Sequence, residues 1–221
     1  MMKTSVQYGW FGKVPCVGDF VRSGLSTQFV GAWDDWMQKL MVAGREELGE
    51  RWRECYFSAP IWRFALSAGL AGPYAVTGIV MPSVDRVGRE YPLCLAVELE
   101  TLVWSAYKSV EPMFEQLEET ALTMLEDGSS LSTLKDALER IPAPQRLTLP
   151  RFGTIGLGWA SVTNGDPELA LATLAAPQPA SIFVSTVNAE THLLMTSQLP
   201  GGPDEAASLF DIDGPRWVFQ D

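Results

Sequence analysis

Hydrophobic and polar positions change period several times along the chain. VQYGWFG, residues 6 to 12, is an apolar and aromatic run of strand character, and Pro15 with Gly18 turns it into a second short extended piece, GDFVR. From Ser26 or Thr27, either of which can cap a helix, Phe29, Trp33, Trp36, Leu40 and Ala43 recur at spacings of three and four. That spacing predicts a long amphipathic helix, with Asp34, Asp35, Gln38 and Lys39 on its other faces and Gly44 and Gly49 limiting its length. A shorter helical stretch is expected around residues 51 to 56. IWRFALSAGL, VTGIVM and PLCLAVEL are too short for helices and rich in Val, Ile and Leu, so they predict strands buried on both faces.

Residues 109 to 127 return to helical spacing, placing Val110, Phe114, Leu117, Ala121 and Met124 or Leu125 on one stripe. The stripe predicts a helix docked on the sheet, with Pro112 tolerated in its first turn. LSTLKDALERI predicts a second helix, stopped by Pro142 and Pro144. Residues 142 to 158 are the most linker-like stretch, with three prolines and three glycines. Beyond them ASIFVSTV, ETHLLMTS, PDEAASLFD and a terminal RWVFQ are pieces small enough to complete the first sheet instead of building a second core. The expected fold is α/β, a single domain over residues 1 to 221, arranged as a three-layer α/β/α sandwich around a mixed sheet, with a weaker subdivision near 142 to 158.

Composition narrows the function classes. Hydrophobic residues at 47% and charged residues at 19% suit an ordinary globular core. The formal net charge of −11 argues against nucleic acid and acidic lipid as partners. The charge is uneven: residues 98 to 127 hold eight acids against Lys108 alone, whereas residues 1 to 97 are nearly neutral. The N-terminal stretch lacks an apolar signal region, and no run approaches the roughly 18 to 20 apolar residues of a membrane helix. A cytoplasmic protein is therefore expected. Cys16, Cys55 and Cys94 are odd in number and widely spaced, which suggests buried free thiols and neither a disulfide framework nor a zinc site.

The residues of familiar chemistries do not assemble. His192 is the one histidine, no G-x-S-x-G elbow surrounds a serine, and GTIGLG, with Gly153, Gly156 and Gly158, has the wrong order for a dinucleotide fingerprint. Asp34 and Asp35 are adjacent on a helix, so their side chains diverge by about 100°. Trp33 and Trp36 keep helix phase with Phe29 and Leu40, which assigns them to the core. No enzyme, metal or cofactor is expected. The most distinctive charged stretch is VMPSVDRVGREYPLCL, residues 80 to 95, in which Asp85, Arg86 and Arg89 flank Gly88 between two apolar runs. These guanidinium groups can bind an anion, meet acids on a partner, or close the loop through Asp85. Asp19 and Arg63 each interrupt an apolar strand and so are candidates for the same network.

GWFGKVPCVGDFVR, AWDDWMQ, SAPIWRFALSAGL and PSVDRVGREYPL, in this order and spacing, resemble the TagF family of proteins associated with bacterial type VI secretion. The match is strongest over about the first 100 residues. The resemblance implies a compact α/β fold and a cytosolic, non-catalytic, post-translational repressor of type VI secretion assembly that binds the forkhead-associated scaffold protein of the system. It supplies no catalytic residues. The alternative is a phosphate or small-anion sensing domain using Arg63, Arg86 and Arg89.

Overall fold

The computed structural model describes residues 6–145, 147, 149, 151–155, 158–162, 172 and 179–217. Gly156 and residues 218–220 of the terminal RWVFQ segment lie outside the described residues. The elements follow in the order β1 (Gly9–Gly12), β2 (Val21–Ser23), α1 (Thr27–Leu48), α2 (Trp52–Ser58), β3 (Trp62–Leu66), β4 (Ala75–Met81) and β5 (Leu93–Leu99). Then come α3 (Val103–Val110), α4 (Phe114–Thr123), α5 (Leu131–Arg140), β6 (Arg151–Ile155), β7 (Gly158–Val162), β8 (Ser181–Val187), β9 (Glu190–Thr196) and α6 (Pro203–Phe210).

Seven strands form one open sheet in the order β2-β1-β5-β4-β3-β8-β9, and β6 and β7 form a separate hairpin. Every pairing among the described strands is antiparallel, which corrects the expected mixed sheet. The reason lies in the connections. β3, β4 and β5 follow one another through links too short to hold the helical crossover of a parallel neighbour. Apolar runs report burial on both faces and carry no information about strand direction.

Strand alternation divides the core between the two faces. Trp62, Phe64 and Leu66 of β3, Val76 and Val80 of β4, and Cys94 and Ala96 of β5 pack with α1, α2 and α6. Ala65, Ile79, Met81, Leu93, Leu95 and Val97 pack with α3, α4 and α5 on the other side. Residues 181–196 extend the same sheet, because β8 pairs with β3 from Arg63↔Val184 to Leu66↔Ser181.

Two helices depart instructively from the periodicity. Ser26 caps α1 by accepting from the Phe29 N–H at 3.1 Å, and the helix continues through Gly44 to Leu48. Gly44 is a contact point, because a Cβ there would lie 2.7 Å from Trp52 Cζ3 and 3.0 Å from Phe210 Cδ2. The helix expected over 109–127 takes in the last two residues of α3, a tight turn at Glu111–Met113 that contains Pro112, and α4, which ends at Thr123. Proline lacks the N–H that would continue the ladder, so the chain tightens there and resumes. Met124 is buried and Leu125 is exposed, which settles the end of the stripe.

Candidate functional site

The charged stretch between β4 and β5 is a hairpin tip. Val84 and Glu90 bridge, the Asp85 N–H donates to Arg89 O at 3.1 Å, and the Gly88 N–H donates to Asp85 O at 2.8 Å. Gly88 has φ +83°, the left-handed position that closes a three-residue loop of this kind.

Asp85 holds the tip from inside. It is 2% exposed, and its carboxylate accepts from the N–H groups of Val87 and Arg89, each at 3.0 Å. It also meets Arg89 Nε at 2.6 Å and the buried Lys13 ammonium at 3.1 Å. Burial alone would raise the carboxyl pKa; the Arg89 N–H, the Lys13 and Arg89 cations and the Val87 N–H outweigh it and hold it well below the ordinary range. Arg89 then reaches across to the turn after β1, where Nη2 donates to Gly18 O at 2.6 Å. The Arg86 N–H donates to Val17 O at 2.9 Å, and its guanidinium lies over Gly18, 3.3 Å from where a Cβ would stand.

Three more anchors tie the hairpin to α1 and α2. The Tyr56 hydroxyl donates to Ser83 O at 2.7 Å and accepts from the Ser83 N–H at 3.1 Å. Tyr91 donates its hydroxyl to Asp34 at 2.9 Å, and burial followed by the nearby Asp34 charge pushes the phenol well up. Glu90 Oε2 accepts from Trp52 Nε1 at 2.8 Å and Arg45 Nη2 at 3.1 Å. Phe20 stacks on Phe11 and meets Tyr91 edge-on, with Lys13 Nζ 5.1 Å above its ring. The hairpin is therefore braced along its length.

The candidates from the sequence are distributed unequally over this arrangement. Asp85 and Arg89 pair directly, and Arg86 and Asp19 are exposed at the two adjoining turns. The Asp19 carboxylate accepts from the Phe20 N–H at 2.8 Å. Arg63 is not in this network. It projects from β3 toward α4, where Nε and Nη2 donate to the two Glu118 oxygens at 2.5 and 3.0 Å, and it lies 5.3 Å over Phe114. The Glu118 hydrogen bond raises the Arg63 pKa. Lys13 is the network member that sequence reasoning does not single out. Its signal is a lysine inside an apolar run, which demands an acid when buried.

Other candidates sit in the scaffold. Trp33 and Trp36 are buried in the core; Cys55 and Cys94 are buried free thiols, and Cys16 is a half-buried free one. Among the described residues no group of three or more His, Cys, Asp and Glu comes together to hold a metal ion. A cavity of about 430 Å³ beside α5, lined in part by Tyr8, Trp10, Leu138 and Ile141, shares no residue with the hairpin. No helix of the described residues is long and apolar enough to cross a membrane.

Residues 9–141 match the family described as the TagF N-terminal domain, type VI secretion system-associated. The crystal structure of PA0076 from Pseudomonas aeruginosa PAO1 is 33% identical in sequence, with a TM-score of 0.82 over 97% of this chain and 97% of that one. No curated protein matches.

Proposed function

The chain belongs to the type VI secretion system-associated TagF N-terminal domain family, and from that premise we propose that it is a post-translational negative regulator of secretion assembly. It acts in the cytoplasm, without catalysis, by binding the forkhead-associated scaffold protein of the system. The observation that carries this reading is the braced hairpin within the matched region. Its one buried carboxylate is engaged by two cations and two backbone N–H groups, while Arg86 and Val87 face outward from a rigid mount. Such a device presents a surface; a reacting group needs a free lone pair or proton.

The other reading, a phosphate or small-anion sensor using Arg63, Arg86 and Arg89, requires three convergent guanidinium groups. Arg63 is engaged by Glu118 on the sheet face that carries α4, and Arg89 is engaged by Asp85, so the geometry favours the first reading. Co-purification of the chain with the scaffold, and secretion measured on deletion and overexpression, test it. Direct binding with secretion reduced on overexpression is expected. No binding together with unchanged secretion would refute the proposal.

A further inference from the structure

We propose that the hairpin tip and the turn beside it form the docking face for the partner, and that the face takes an acidic segment carrying an apolar anchor. Arg86 and Val87 stand at its centre and Phe20 at its edge. The inference rests on the binding reading above and adds where contact occurs and with what chemistry.

Three features of the face single it out. Phe20 is 43% exposed and Val87 is 69% exposed, although both belong to turns held by buried neighbours. An isolated exposed apolar residue needs no explanation, but here two flank a guanidinium that makes no ion pair among the described residues. Contiguity follows from contacts: Arg86 lies over Gly18, Arg89 is bonded to Gly18 O, and Lys13 bridges from Asp85 to the Phe20 ring. Aromatic side chains and arginine are the groups enriched where interfaces concentrate their binding energy.

Charge decides the partner's chemistry. Lys13 and Arg89 share the Asp85 carboxylate, so with Arg86 the three cations exceed Asp85 and the exposed Asp19 by one charge, a local positive excess centred on Arg86. This excess stands on a chain of net charge −11. An acidic segment is therefore steered to this face and away from the rest of the surface. Because the hairpin is braced by Tyr56, Asp34, Arg45 and Trp52, little ordering remains to oppose binding.

The test is titration calorimetry of the full chain with the purified scaffold, comparing wild type, Arg86→Glu, Val87→Asp and Lys39→Glu, with circular dichroism confirming each fold. Lys39 is exposed on α1 and supplies the same charge change elsewhere. Arg86→Glu and Val87→Asp should each weaken binding about tenfold or more, as loss of a central contact does, while Lys39→Glu stays within about twofold. Added salt should weaken the wild type more steeply than Arg86→Glu. Wild-type affinity in both tip variants overturns the docking face and leaves the binding reading intact. A wild-type dimer that Arg86→Glu dissolves overturns it in favour of a second copy of this chain. Failure of the wild type to bind the scaffold overturns the binding reading instead. The face is then judged by NMR titration with a synthetic glutamate-rich peptide containing leucine: the amides of Asp19, Phe20 and residues 86 to 89 should shift first, and no shift there overturns it.

Discussion

Breaking the ion pair between β3 and α4 should destabilise the protein by an amount that the geometry bounds. Arg63 and Glu118 form two parallel N–H···O contacts at 2.5 and 3.0 Å. A hydrogen bond to a charged group contributes about 1.5 to 3 kcal/mol when well buried, and an exposed ion pair about 0.2 to 1 kcal/mol. The side chains are 31% and 22% exposed, which places the pair between these limits, with a coupling energy of about 1 kcal/mol. Arg63→Ala also removes the guanidinium from the Phe114 ring, which adds about 0.5 to 1 kcal/mol. Arg63→Ala should therefore cost about 2 kcal/mol and Glu118→Ala about 1 kcal/mol, with the double variant close to Arg63→Ala. For a chain of this size each kcal/mol lowers Tm by about 2 to 4 °C. Urea unfolding at pH 7, followed by far-UV circular dichroism on the four proteins of the cycle, measures the coupling. A coupling below about 0.3 kcal/mol would refute the pairing and return Arg63 to the groups available for an external anion.

Two further substitutions probe the hairpin and the start of α1. Asp85 has a depressed pKa in the fold, so its contribution is complete above the ordinary carboxylate value near 3.9 and is lost as pH falls through that value toward the lower native one. Asp85→Asn should accordingly be less stable at neutral pH and show a flatter acid limb when urea midpoints are measured from about pH 3 to 8; parallel profiles for variant and wild type would contradict this. Ser26 Oγ accepts from the Phe29 N–H at 3.1 Å and donates to Glu98 on β5 at 2.7 Å. Ser26→Ala should lose about 1 to 2 kcal/mol by thermal unfolding, and a change below about 0.5 kcal/mol would show that Glu98 and water replace the cap.

Much of the secondary structure is legible in residue order because its causes are local. The Phe29, Trp33, Trp36 and Leu40 spacing identifies α1 and narrows its cap to Ser26 or Thr27, of which the structure selects Ser26. The apolar runs around Phe64, Ile79 and Leu95 identify strands of the right length, with cores on both of their faces. Local signals fail where neighbours decide. Gly44 reads as a helix breaker until Trp52 and Phe210 close over it, and Val103, Ala106 and Tyr107, outside the expected helix, are buried on α3.

The candidate site divides along the same line. The sequence by itself identified a charged turn at Asp85, Arg86 and Arg89, and its resemblance assigned the family that the match over residues 9–141 shows. Only the tertiary structure decided that Lys13 completes the Asp85 pair, that Glu90 belongs to Trp52 and Arg45, and that Arg63 faces Glu118. It also decided that the sheet is antiparallel. Periodicity and turn chemistry act over a few residues and are written in residue order, whereas a buried charge chooses its partner, and a strand its neighbour, after chain folding has brought distant segments together.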